Sequence, residues 1–96
     1  MTEKTTTTSI DEQLSQKREQ LTQAQITQTN AYSEYMKVMK AKSIVDESDT
    51  EKIAKLDKLM YQHFITYQHA LEDSQKLQLE VSELESKKYL EELLTE

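Results

Sequence analysis

His63 and His69 are the first residues in the chain to ask for chemistry, as metal ligands or proton carriers. Six places apart on a helix, they are turned about 120° from one another and cannot grip one metal ion as an i, i+4 pair does. The carboxylates come next. Glu80 with Glu83, and Glu91 with Glu92, have the residue type for acid–base work or for a divalent ion. Such work needs a concave, partly dry site, which a charged helix surface does not form. No Glu-x-x-His pair occurs, so the di-iron signature of carboxylate bundles is missing. The serines and threonines have no Gly-containing elbow, and without cysteine there is no thiol nucleophile, disulfide framework or thiolate ligand. These residues lead to no catalytic, cofactor-binding or metal site.

The composition says why. The chain has 96 residues, with 18 acidic against 12 basic side chains and a formal charge of −6, yet neither glycine nor proline. Average usage would place about seven glycines and five prolines in a chain of this length. Their absence removes phosphate-cradling loops and dinucleotide fingerprints and leaves a helix-permissive polar chain. The negative charge disfavours nucleic acid, whose phosphates require clustered lysine and arginine. No run approaches the eighteen or so apolar residues of a membrane span, and the N-terminus lacks the apolar stretch of a signal peptide. The expectation is a cytoplasmic chain with no membrane insertion, for which signal-peptide-independent secretion stays open.

Two long helices account for the pattern. Residues 1–8, Thr-rich and with no apolar side chain after Met1, are expected to be disordered. Ser9 followed by Glu12 has capping-box spacing and predicts a helix over about residues 9–45. Its apolar stripe runs Ile10, Leu14, Lys17, Leu21, Ala24, Gln28, Ala31, Tyr35, Val38, Lys42 and Val45, alternating steps of four and three. The hydrophobe-free run Asp46-Glu47-Ser48-Asp49-Thr50 predicts a bend at residues 46–50, with Ser48 and Glu51 as a second capping box. A second helix over about residues 50–94 carries Ile53, Leu56, Met60, His63, Tyr67, Ala70, Ser74, Leu77, Val81 and Leu84. The chain should therefore close as an all-α antiparallel two-helix hairpin, coiled-coil-like, with residue i opposite roughly residue 95 minus i by folding about residues 47 and 48.

A hairpin leaves apolar residues over. Ile26, Ile44, Leu59, Ile65, Leu79 and Leu90 lie off the main stripe, and Tyr32 and Tyr61 are the aromatics best placed for a surface. Tyr89, Leu90, Leu93 and Leu94 form a terminal cluster beyond the expected reach of the first helix. The expected partner-binding residues are therefore Tyr89, Leu90, Leu93, Leu94, Ile26, Leu59, Tyr32 and Tyr61. The lysines gather near the bend and the acids near the open end, residues 72–96 holding eight acids and three lysines.

In size and outline the chain resembles several groups of small helical hairpins: secreted hairpins of specialised secretion systems, needle subunits with their small chaperones, and phage scaffolding proteins. The Trp-x-Gly turn of the first group has no counterpart here, Asp46 to Asp49 standing at the bend. The functional expectation is a non-enzymatic protein–protein interaction module, a small adaptor, chaperone or assembly subunit acting through helix-bundle formation with itself or with a helical protein partner. It needs no cofactor. The alternatives are an acidic inhibitor that imitates nucleic-acid phosphates and a secreted hairpin of a specialised secretion system.

Overall fold

The structure, a computed structural model, draws α1 as Thr2–Lys42 and α2 as Thr50–Thr95 and describes side chains over residues 9–95. The disorder expected of residues 1–8, and with it the helix start at Ser9, lies outside the described residues. The helices pack against each other along their length as an all-α antiparallel hairpin of 72 × 19 × 13 Å. Its radius of gyration is 21.2 Å, against about 12.5 Å for a compact domain of this length.

Every residue of the α1 stripe is withdrawn from solvent, and from Ile10 to Lys42 every described residue between them is exposed. The α2 stripe is withdrawn too, and it continues in steps of four and three through Lys88 and Glu91. Strict alternation of three and four over five heptads is the pattern of a left-handed coiled coil. Its best-covered part is at the open end, where Ile10, Leu14, Val81 and Leu84 form one buried cluster and Leu14 is only 2% exposed.

The register differs from the expected one by about a helical turn. Tyr32 pairs with Tyr67, Tyr35 with Phe64, Lys42 with Asp57 and Asp11 with Lys88, so residue i stands opposite residue 99 − i. A stripe that repeats every three and four residues stays apolar-to-apolar after such a slip, so apolar matching alone does not choose between the two. Rings and ions do. In the observed register the Lys42 ammonium reaches the Asp57 carboxylate at 2.6 Å and Lys88 reaches Asp11 at 2.8 Å.

The bend needs no glycine because none of the described residues takes a positive φ. Ser43 N–H donates to the Met39 and Lys40 carbonyls, Ile44 N–H to Ala41 and Val45 N–H to Lys42, so α1 ends in one tightened turn. The Asp46 carboxylate then accepts from the Ser48 N–H at 2.9 Å and from the Ser48 hydroxyl at 2.8 Å. These two donors, the backbone one foremost, hold the Asp46 carboxyl below its ordinary range. Ser48 is thus engaged backwards and does not cap α2 as its spacing with Glu51 suggests. Asp49 caps it instead, its carboxylate accepting from the Lys52 N–H at 3.2 Å and its carbonyl from Ile53 N–H.

Asp49→Ala should therefore lower unfolding stability by about 1 kcal/mol, while Ser48→Ala costs less. Chemical denaturation of the two variants measures the difference, and a larger loss at Ser48 would restore the capping box.

Candidate interaction surface

Antiparallel pairing gives the hairpin two unlike sides. On one, the residues that directly follow seam positions come together: Arg18, Tyr32 and Met39 of α1, and Asp57, Phe64 and Glu85 of α2. Contacts on this side are the Arg18–Glu85 ion pair at 3.3 Å, the Lys42–Asp57 pair, and the two ring pairs. Tyr32 and Tyr67 have centroids 5.8 Å apart and Tyr35 and Phe64 6.3 Å apart, both tilted, a geometry favoured by ring quadrupoles. One turn outward, Met36 lies between Tyr32 and Met39 along α1, and Tyr61 lies beside Phe64 along α2.

The loop-proximal half of this side is thus an apolar face. Tyr32 is 53% exposed, Met36 41%, Met39 38%, Tyr61 66% and Phe64 41%. A shallow hollow along it is lined by Tyr32, Met36 and Met39, with Lys37 and Lys40 on its rim. Toward the open end the same side turns polar at Gln25, Arg18 and Glu85.

Toward the open end the opposite side is polar. A hollow there is lined by Lys17, Gln20, Gln23, Thr27, Asp73, Lys76 and Glu80. The Lys17 stem occupies a seam position while its ammonium donates to Glu80 at the edge, the snorkelling expected of a long cation on an apolar stripe. That hydrogen bond, before any other influence, holds the Glu80 carboxyl below its ordinary value. On the aromatic side, donation to Asp11 raises Lys88 in the same way. Within the seam, the Ser74 hydroxyl donates to Gln28 Oε1 at 3.4 Å, and Ser74 is 4% exposed.

The eight expected partner-binding residues are all exposed, but they do not make one surface. Tyr32 and Tyr61 share the apolar face. Leu59 is turned about 200° from Tyr61 and lies on the other side of α2, and Ile26 is on the outer back of α1. Tyr89, Leu90, Leu93 and Leu94 span an arc of about 140° on α2. That arc points away from α1, since Lys88 and Glu91 are the residues on the seam side. Their exposure of 50–76% comes from this outward direction. Asp11 still reaches Lys88, so α1 extends at least to the start of this cluster. Met36 carries no signal in the main stripe. The pattern that would find it is a second three-and-four series, Tyr32, Met36, Met39 and Ser43, displaced one residue from Ala31, Tyr35, Val38 and Lys42.

The histidines stay apart in role: His63 is half-buried on the seam and His69 is exposed. Among the described residues no cluster of three His, Cys, Asp or Glu could hold a metal ion, and no helix is long and apolar enough to cross a membrane. Set against known proteins, the chain matches no family model, no curated protein and no solved structure.

The depressed Glu80 carboxyl makes a signed pH prediction. A carboxylate whose folded pKa is lowered adds stability that is complete above its unfolded value of 4.5 and disappears as pH falls through the folded value. The melting-temperature difference between wild type and Glu80→Gln should hold steady down to about pH 5 and shrink toward zero below it. A difference independent of pH through that window would mean that Glu80 does not act through its charge.

Proposed function

We propose that this chain is a non-enzymatic protein–protein interaction module, a small adaptor, chaperone or assembly subunit that works in the cytoplasm by completing a helix bundle. One observation carries the reading: Tyr32, Met36, Met39, Tyr61 and Phe64 stand together, each between 38% and 66% exposed, on one side of a two-helix body. Three rings about half exposed, at about 200 Å² for each full ring, leave roughly 300 Å² of aromatic surface before the methionines are added. That falls within the range of the largest apolar patch on a typical monomer, which is often a functional one. Tyrosine and methionine are also the types enriched where proteins meet, and charge is scarce at the centre of the patch. The outward cluster of Tyr89, Leu90, Leu93 and Leu94 serves as a second, separate contact, about 40 Å away along the helix axis.

Phosphate mimicry by the acidic end has less support. Asp11, Glu80 and Glu85 are each engaged by a cation of the chain itself, Lys88, Lys17 and Arg18 in turn. Salt separates the readings. Association through an apolar face persists at about 0.5 M salt, where exposed charge contacts are largely screened.

Met36→Glu and Tyr61→Glu should each weaken association more than tenfold with helicity unchanged, because a carboxylate would be desolvated in the contact. Leu79→Glu, on an outward position that is 68% exposed, should leave association as it was. Sedimentation equilibrium and far-ultraviolet circular dichroism make the two measurements. Equal loss in all three variants would detach the activity from this face.

A further inference from the structure

The exposed area of the chain asks what covers it. Its accessible surface is 7658 Å², about 1,900 Å² more than a compact monomer of this mass presents. The apolar face occupies levels 32–39 of α1 and, through the 99 − i register, the matching levels of α2. Within it, residue 34 stands midway between Tyr32 and Met36 on α1 and, through the same register, opposite Ile65 on α2.

One pair of opposite charges stands symmetrically about that level. Lys58 and Glu72 lie on the outer edge of α2, one heptad to either side of Ile65, and both are exposed. Fourteen residues, or about 21 Å, separate them along one helix, so they cannot pair within the hairpin. A two-fold axis at Ile65, lying in the plane of the face and across the helices, turns Lys58 of one copy onto Glu72 of the other. It does so twice. On α1 the same operation matches residue i with residue 68 − i and sets Met36 of each copy level with Tyr32 of the other, a sulfur–ring pairing that is favourable in its own right.

We propose that the occupant of the face is a second copy of this chain, docked antiparallel about that axis as a four-helix bundle confined to the loop-proximal halves. The proposal rests on the interaction-module reading and names its partner. Each helix is then antiparallel to both neighbours, the arrangement of an up-down bundle. Overlap about that axis covers residues 26–42 of α1 and 50–80 of α2, a mean length of about 36 Å. With a hairpin width of 19 Å, the contact buries on the order of 1,200 Å² in total, enough to clear the threshold for a specific interface. A full-length antiparallel overlap does worse. It places Tyr32, Met36 and Met39 against the polar stretch around Ser15, Arg18 and Thr22, where Arg18 is already committed to Glu85.

The test is a charge swap on the whole chain, read by sedimentation equilibrium. Lys58→Glu should raise the dimer dissociation constant about tenfold, since two exposed ion pairs are replaced by two repulsions. Lys58→Glu combined with Glu72→Lys should bring it back to within about threefold of wild type at unchanged helicity. Recovery can come only across copies, which a merely structural effect of residue 58 would not produce. A dimer indifferent to Lys58→Glu, or a swap that recovers nothing, overturns the proposal. A chain that is monomeric at high concentration overturns it as well, and the fate of the broader reading is then separate. If the chain is held in a larger complex in its own cell, and Tyr61→Glu releases it, only the second copy is excluded; if it is held in none, both readings fall.

Discussion

A body 72 Å long and only 13 Å across its thinnest dimension is one helix thick, so no side chain can be surrounded on all sides. Cohesion between the helices comes mainly from a single file of seam residues, alternating three and four apart, with one layer stacked on the next and ring and ion pairs along its edges. Among the described residues the buried ones are few: Ile10, Leu14, Ala31, Ala70, Ser74, Val81 and Leu84. Everything else about the molecule follows from how this file is ordered and which layer meets which. It decides which lysine finds which carboxylate, which rings meet, and which apolar residues are left over.

Polar residues in the file set that order. Lys17, Gln28 and Lys42 interrupt the α1 stripe, and each has a specific partner, Glu80, Ser74 and Asp57. An isolated exposed ion pair contributes little to stability, with a median between zero and about 1 kcal/mol. Their value lies in discrimination. Slipping one turn along the seam leaves leucine against valine much as before, but it strands a half-buried ammonium and an amide that the correct register satisfies. Polar seam residues in coiled coils specify register in this way at some expense of stability.

Periodicity reveals some of these features and hides others. The α1 stripe, and the α2 stripe as far as Leu84, are legible to the residue because burial on a helix has a period; its continuation through Lys88 and Glu91 is not, since neither residue is apolar. The bend is legible because residues 46–50 offer nothing to bury. Register is not, since apolar periodicity is nearly blind to a shift of one turn, and the deciding pairs, such as Tyr32 with Tyr67, join residues 35 places apart. Capping misses by one residue for a local reason: Ser48 has a competing acceptor in Asp46 two places back, leaving Asp49 to meet the first turn of α2. The interaction surface is half legible. Tyr32 and Tyr61 can be picked as off-stripe aromatics, but their union with Met36, Met39 and Phe64 depends on the register and so on the pairs that periodicity cannot see.

The two ends of the hairpin solve the shortage of interior differently. At the open end, aliphatic side chains close the seam in the cluster around Leu14, and ion pairs such as Asp11–Lys88 flank it. In the loop-proximal half Tyr35, His63 and Tyr67 sit in the seam, and the rings of Tyr32 and Phe64 pack beside it on one side. A leucine-built face of that size would suffer in water. Tyrosine hydroxyls stay hydrated while the ring edge packs, and methionine adapts its shape to whatever it meets. This residue choice suits a face that is exposed in the lone chain and that, on the proposed reading, packs against another helix pair. The aromatic face is thus the side on which a structure with one shared seam can acquire a second.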